Sequence, residues 1–190
     1  MIKMQSWAWM IAAVLLAGCT ARDLPPIDAT RTVASADVGD YRLNVGDTVK
    51  LTVYKEAELS GTYGVGADGK FVLPVVGPVQ AEGRTVGEVA DTVRAGLANG
   101  FMTNPQVSAE VAAYRPIYVL GEVNKPGRYD YVIGLTVQGA IATAEGFSYR
   151  ANEKRVFIKS PNAPGEKEYR ITPDLVVRPG EIIRVEARSF

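Results

Sequence analysis

Histidine is absent from this 190-residue chain, and cysteine occurs once. The missing imidazole removes the commonest general base and the commonest metal ligand. A single cysteine cannot form an intramolecular disulfide. Basic and acidic side chains balance at 21 each, so no long-range field draws the chain to nucleic acid. We therefore expect no metal, no cofactor and no nucleic-acid partner.

Long apolar runs are also scarce. The longest uncharged apolar run covers residues 7–17 and follows Lys3. A helix needs about 20 apolar residues to cross a bilayer, so this run is too short for a comfortable span. Its length and its basic flank are typical of the central region of a signal peptide. We predict a signal peptide over residues 1–18.

The run ends in Leu16-Ala17-Gly18-Cys19, which contains the single cysteine. This tetrapeptide resembles the lipobox of bacterial lipoproteins. The resemblance implies that the Cys19 thiol receives a diacylglyceryl group, that cleavage follows Gly18, and that the new amino terminus is acylated. It also implies outer-membrane sorting, since Thr20 stands where lipoproteins of the inner membrane often carry Asp. The alternatives are an ordinary signal peptide with an incidental cysteine, or a buried core cysteine.

Composition divides the remaining chain into a tether and two modules. Pro25-Pro26 and small polar residues without periodicity indicate a tether over residues 19–37. Residues 38–113 and residues 114–190 each combine short strand patterns with one amphipathic helical pattern. We therefore predict an α+β fold of two small mixed α/β domains, each with a short helix packed on one face of a small sheet.

Local signals predict individual elements. Residues 48–54 alternate polar and apolar side chains, which indicates a half-buried strand. Asp68-Gly69 between two strand patterns predicts a hairpin with a type I′ turn. Thr85 and Glu88 have the spacing of a capping box at the start of a helix, and Thr136 is predicted to cap a second, shorter helix.

One short pattern occurs in both modules. Gly46-Asp47 and Gly180-Glu181 each precede a stretch with the order any residue, apolar, basic, apolar. Both are predicted to be turns that lead into a strand. Two related modules would explain the repeat, and so would the turn chemistry that any such strand needs.

Motifs in series resemble the bacterial outer-membrane polysaccharide export proteins. The first module contains their Gly-Asp turn before a strand, then an Asp-Gly-x-x-x-Leu-Pro-x-x-Gly-x-Val pattern. The second module resembles the SLBB domain, a β-grasp-like unit, through a Gly-Glu-Val-x-x-Pro-Gly-x-Tyr pattern. The residues that carry the resemblance are Gly46, Asp47, Asp68, Gly69, Pro74, Gly77, Gly121, Pro126, Gly127 and Tyr129.

This resemblance implies a function in transport. It implies a lipid-anchored protein on the periplasmic face of the outer membrane, which forms a homo-oligomeric ring in a conduit for capsular polysaccharide or exopolysaccharide. It also implies an inner-membrane polysaccharide co-polymerase as a partner. Larger members carry further SLBB copies and a C-terminal amphipathic helix, which are not found after this module. That difference raises the hypothesis that a separate outer-membrane barrel supplies the pore.

Two other functions are open from the sequence. Glu56 and Glu58 could share a strand face and act as the paired carboxylates of a polysaccharide hydrolase or lyase. The alternative, which the sequence favours, is a solvated strand end. A polysaccharide-binding scaffold would instead use exposed aromatic rings. Its candidate residues, which also suit sheet cores and edges, are Tyr54, Tyr63, Tyr114, Tyr129, Tyr131 and Tyr149.

Overall fold

The computed structural model describes residues 41–188, which form two hydrophobic cores. We call residues 41–113 the first module and residues 114–188 the second module. The predicted signal peptide, the tether and Cys19 lie outside the described residues. Within the described range, no helix has both the length and the apolar character needed to cross a membrane.

Two small sheets and one helix make up the first module. β1 (Thr48–Val53) is the central strand of a three-stranded sheet and pairs antiparallel with both β2 and β5. β3 and β4 form a separate antiparallel hairpin. The other elements are β2 (Gly61–Gly64), β3 (Lys70–Leu73), β4 (Gly77–Gln80), α1 (Val86–Ala98) and β5 (Val107–Ala113).

Helix α1 begins where the sequence predicts it. The Thr85 side chain accepts a hydrogen bond from the Glu88 amide at 3.2 Å, and the Glu88 carboxylate accepts one from the Thr85 amide at 2.8 Å. These reciprocal bonds satisfy two N–H groups that the first turn leaves without helical partners. The helix then buries one apolar stripe against the sheets, made of Val89, Ala90, Val93 and Leu97.

The turn at Asp68-Gly69 differs from the predicted type. A type I′ turn requires positive φ at both central residues, but only Gly69, at +74°, has one. The Gly69 amide donates to Gly66 O and the Gly66 amide to Lys70 O, at 2.9 and 2.8 Å. This is a type I turn followed by a left-handed glycine. The predicted hairpin of the two flanking strands was also wrong, because β3 pairs with β4 and β2 pairs with β1.

In the second module, one mixed five-stranded sheet has the order β7-β6-β10-β8-β9. The first and last strands of the module, β6 and β10, are central neighbours and run parallel, whereas the other pairs are antiparallel. The elements are β6 (Ile117–Gly121), β7 (Gly127–Tyr129), α2 (Val137–Thr143), β8 (Arg155–Lys159), β9 (Lys167–Arg170) and β10 (Ile182–Val185).

Helix α2 covers one face of this sheet. Thr136 caps it by accepting from the Gly139 amide at 3.1 Å, as predicted. Val137, Ala140 and Ile141 are buried against inward side chains of β6, β8 and β10. The predicted α+β class, with a helix on one face of each small sheet, is therefore confirmed.

Gly121 lets β6 and β10 approach. Its φ is +84°, and a Cβ there would lie 2.0 Å from the Val185 carbonyl oxygen. Because that oxygen belongs to the backbone of a central strand, it cannot move without shifting the sheet. Gly134 also has a positive φ, +78°, but no atom lies within 4 Å of the position of its Cβ.

We expect Gly121→Ala to lower the free energy of unfolding by more than about 3 kcal/mol, since backbone strain and a steric clash combine. Gly134→Ala should cost only about 1–2 kcal/mol, because it introduces the strain alone. Urea denaturation followed by circular dichroism measures both. Equal losses in the two variants would contradict the close approach of Gly121 and Val185.

Candidate functional site

Asp47 is a fully buried carboxylate at the junction of the two modules. Its Oδ2 accepts from the Tyr41 hydroxyl at 2.6 Å and from the Asn44 amide at 2.8 Å. Its Oδ1 accepts from the Arg115 amide at 3.0 Å and lies 3.4 Å from Arg115 Nε. A buried carboxylate is costly unless it is paired and hydrogen-bonded. Here three hydrogen bonds and one guanidinium meet that requirement.

Arg115 connects the turns that precede the two central strands, β1 and β10. A Cβ at Gly46 would lie 3.5 Å from Arg115 Cγ, and a Cβ at Gly180 would lie 3.5 Å from Arg115 Nη1. Both glycines have positive φ, +89° and +81°. The Arg115 side chain therefore packs against a turn of the first module, at Gly46, and against a turn of the second module, at Gly180.

Three tyrosine rings continue the junction. Tyr114 makes edge contacts with Tyr41 and Tyr131, with ring centroids 4.9 and 5.4 Å apart. Burial raises the pKa of all three hydroxyls above the ordinary value, and the Asp47 carboxylate adds to the effect at Tyr41 and Tyr114. The three rings therefore stay neutral at physiological pH and act as apolar and hydrogen-bonding surfaces.

The repeated Gly-acid pattern forms the same turn twice. Glu181 is fully buried, and its carboxylate accepts from the Arg178 amide at 2.9 Å and from the Ser160 hydroxyl at 2.7 Å. Asp47 binds the Asn44 amide in the same way, three residues back. In each turn the acid's own amide donates to the carbonyl of that earlier residue. The repeat thus has a structural basis in capping the turn before a central strand.

The hairpin β3–β4 contains the other motif residues of the first module. Asp68 and Gly69 form the turn that enters β3, Pro74 lies in the turn that connects β3 to β4, and Gly77 is the first residue of β4. The Val76 amide donates to Pro74 O at 2.8 Å.

Val75, the residue between Pro74 and Val76, has φ +72° and an exposed side chain. This is a γ-turn of the strained kind, and a β-branched residue is rare there.

The second-module motif residues lie along β6 and β7. Gly121 ends β6, and Gly127 and Tyr129 are the first and last residues of β7, directly after Pro126. The Tyr129 hydroxyl donates to Lys125 O at 2.5 Å, so the ring folds back over the turn. These residues shape the β6–β7 hairpin and do not meet the Asp47 junction.

The proposed carboxylate pair does not lie on a strand. β1 ends at Val53, and Glu56 and Glu58 are exposed in the turn that follows. The prediction of a shared strand face was therefore wrong. The Ser60 hydroxyl accepts a hydrogen bond from the Val53 amide and donates toward the carbonyl oxygens of Val53 and Glu56. These bonds hold residues 53–60 in a turn. In residues 41–188, no cluster of three acidic, histidine or cysteine side chains could hold a metal ion.

The six candidate tyrosines divide by exposure. Tyr54 and Tyr149 are 64% and 84% exposed, which leaves their rings open to a ligand. The other four, Tyr63, Tyr114, Tyr129 and Tyr131, pack against the two cores or in the junction. Sequence reasoning did not assign a role to Arg115. Its only signal was its position, between a strand pattern and Pro116.

Asp47→Asn should lower the free energy of unfolding by about 3 kcal/mol. The amide nitrogen would face hydrogen-bond donors and leave Arg115 without its counter-charge. Asp68→Asn is the matched control, because Asp68 is exposed and an asparagine oxygen can still accept from the Lys70 amide. Thermal unfolding of both variants measures the difference. A loss at Asp47 no larger than that at Asp68 would contradict the structural role of the buried carboxylate.

Val75→Gly should raise the free energy of unfolding by up to about 1 kcal/mol, because glycine adopts positive φ without strain. Val72→Gly is the control, since Val72 is also exposed but lies in the regular strand β3. It should lose about 0.5–1 kcal/mol. Denaturant titration of the two variants compares them. A loss of stability in Val75→Gly would show that Val75 has a packing role that outweighs its strain.

Proteins of polysaccharide production, export and transport are among those similar to this chain. The exopolysaccharide production protein ExoF of Rhizobium meliloti (strain 1021) is 36% identical over 152 residues, which are 74% of this chain and 36% of that protein. The EPS I polysaccharide export outer membrane protein EpsA of Ralstonia nicotianae is 29% identical over 82% of this chain and 51% of its own length. The polysialic acid transport protein KpsD of Escherichia coli is 28% identical over 63% of this chain and 22% of its length. The chain thus spans about half or less of the length of each relative.

Two protein-family models match this chain, one after the other along the sequence. The description "Polysaccharide biosynthesis/export protein" matches residues 35–112, and the description "SLBB domain" matches residues 116–172. The gap between the two matches contains two residues of the junction, Tyr114 and Arg115. The chain therefore belongs to the family of polysaccharide export proteins in which an export domain is followed by an SLBB domain.

Proposed function

We propose that this protein is an outer-membrane lipoprotein that forms part of a conduit for capsular polysaccharide or exopolysaccharide. The observation that carries the proposal is the order of an export domain and an SLBB domain in one chain. The names of the relatives support it, since they specify exopolysaccharide production, polysaccharide export at the outer membrane and polysialic acid transport.

In this proposal the protein acts by assembly and makes or breaks no bond. Copies associate head to tail into a closed homo-oligomeric ring, and the polymer passes through the centre. A heterologous contact gives a ring only if the rotation from one copy to the next closes, and every copy must have the same shape to repeat that rotation. The junction of Asp47 and Arg115 supports this, because it ties the orientation of one module to that of the other.

The anchor and the partners follow from the same proposal. Acyl chains on Cys19 hold the ring at the periplasmic face of the outer membrane. Each buried CH₂ contributes about 0.8 kcal/mol, so several chains give lasting attachment. The ring meets an inner-membrane polysaccharide co-polymerase across the periplasm.

The scaffold and enzyme functions have less support. The two open rings, Tyr54 and Tyr149, suit weak sugar contacts within a conduit as well as on a scaffold. A hydrolase or lyase would need acidic groups held around a substrate. Glu56 and Glu58 instead lie in an exposed turn. The relatives named above carry production, export and transport in their names, and none carries a hydrolytic activity.

We expect Cys19→Ser to release the protein from the outer membrane and to abolish polysaccharide secretion in cells that lack the wild-type copy. The physical reason is the loss of the only thiol that can be acylated. Membrane fractionation, mass spectrometry of the purified polypeptide and a secreted-sugar assay measure the three consequences.

Thr20→Ser is the control for this experiment, because it changes the neighbouring residue and retains the thiol. It should leave anchoring and secretion at the wild-type level. Normal secretion in Cys19→Ser would exclude the anchor from the function, and a native polypeptide with residues 1–18 attached would exclude lipidation. Normal secretion in cells without the gene would contradict the export function itself.

A further inference from the structure

The five-stranded sheet of the second module has a face that helix α2 does not cover. Side chains alternate along each strand, and the buried set faces α2. The cross-strand register places the other set on the opposite side, which we call the open face. Its members are Arg128, Tyr118, Leu120, Ile182, Arg184, Arg155, Phe157, Lys159, Glu168 and Arg170.

One row crosses four strands of the open face. Arg128 is opposite Tyr118, Tyr118 is opposite Ile182, and Ile182 is opposite Lys159. Neighbouring strands lie about 4.8 Å apart, so the two cationic residues are separated by roughly 14 Å at the backbone. The row thus has an apolar centre and a cation at each end. Arg170, opposite Arg155, adds a third cation on the outer strand.

The cations of the open face fall into two groups. Arg184 and Arg155 are held by carboxylates: Arg184 binds Glu166 at 2.5 Å, and Arg155 binds Glu168 at 3.0 Å. Hydrogen bonds from Arg184 lower the pKa of Glu166, which keeps that pair ionised. In contrast, Arg128, Lys159 and Arg170 are exposed and form no ion pair with any described residue, although the charge of Lys159 also helps to lower the pKa of Glu166.

The two modules also differ in net charge, and the second module is the positive one. Residues 114–188 contain twelve basic and nine acidic side chains, whereas residues 41–113 contain six basic and eight acidic ones. The near-neutral total of the whole chain therefore hides a positive second module. Of the three unpaired cations on the open face, Arg128 lies directly opposite Tyr118, which is 41% exposed.

We propose that the open face binds acidic polysaccharide. Carboxylates of the polymer pair with Arg128, Lys159 and Arg170, and the apolar face of a sugar ring packs on Tyr118. Arginine and lysine are the usual partners of carboxylates, and sites for small polar ligands combine an apolar wall with a few placed polar groups. This proposal rests on the proposed function and specifies the charge class of the exported polymer.

A second copy of the chain is the other occupant that this surface could take. The core of a protein interface is enriched in arginine but depleted of lysine and glutamate, and the open face carries Lys159 and Glu168. On the open face, the Arg184 guanidinium lies over the Phe157 ring, 4.4 Å from its centroid, in the middle strand. A stable protein contact here would bury the ion pair of Arg184 and Glu166 at its centre, which carries a desolvation cost. The distribution of charge therefore favours a hydrated, polyanionic ligand.

The test measures binding of the full lipidated protein in detergent to polygalacturonate, whose carboxylates are free, and to the same polymer after complete methyl esterification. We expect the free acid to bind and the ester to bind at least about tenfold more weakly, with affinity for the acid falling as salt rises. The variant carrying Arg128→Gln, Lys159→Gln and Arg170→Gln should lose about tenfold or more in affinity for the acid. Tyr118→Ala should weaken binding to both polymers.

The matched control carries Lys70→Gln, Lys154→Gln and Lys167→Gln, which remove the same charge at exposed positions elsewhere. Lys167 is opposite Ile158, on the side of the sheet that faces α2. This control should retain binding. Equal losses in both triple variants, equal binding of acid and ester, or no binding at all would overturn the open-face site. Dissociation of the homo-oligomer by the open-face variant would assign the surface to a second copy and would also overturn it. Secretion by cells that carry the variants reports separately on the export function, which can stand if the site fails.

Discussion

The buried carboxylate of Asp47 is the constraint on which the arrangement of this protein depends. It has no access to solvent, so its charge must be balanced within the protein. The balancing groups come from both sides of the junction: Tyr41 and Asn44 from the first module, and the backbone and side chain of Arg115 from the second. The modules cannot separate or rotate freely without exposing these bonds. An electrostatic requirement at one residue thereby becomes a geometric link between two small cores.

That link matters because the proposed work of the protein is mechanical. A conduit needs subunits of uniform shape, and a surface that meets a polymer needs a fixed position relative to the passage. Small cores supply only a few kcal/mol each, so docking of the modules also contributes to stability. The tyrosines at positions 41, 114 and 131 extend the contact with neutral rings. The open face of the second sheet remains available for a ligand.

Much of the fold could be predicted because its signals are local. The capping box at Thr85, the cap at Thr136 and the alternation in β1 each depend on neighbouring residues, and each helix or strand is found in place. The type of the turn at Asp68 and the turn at Glu56 could not be predicted. The first depends on which strand β3 pairs with, and the second on a side-chain bond from Ser60. The role of Arg115 and the register that assembles the open face depend on contacts distant in sequence, which no local pattern encodes.

Electron microscopy of the lipidated protein, extracted in mild detergent, tests the central claim most directly. The account predicts closed rings in which every copy holds its two modules in one orientation, around a passage wide enough for a polysaccharide chain. Monomers at high protein concentration, or open assemblies in which the two modules take varied orientations, would contradict it.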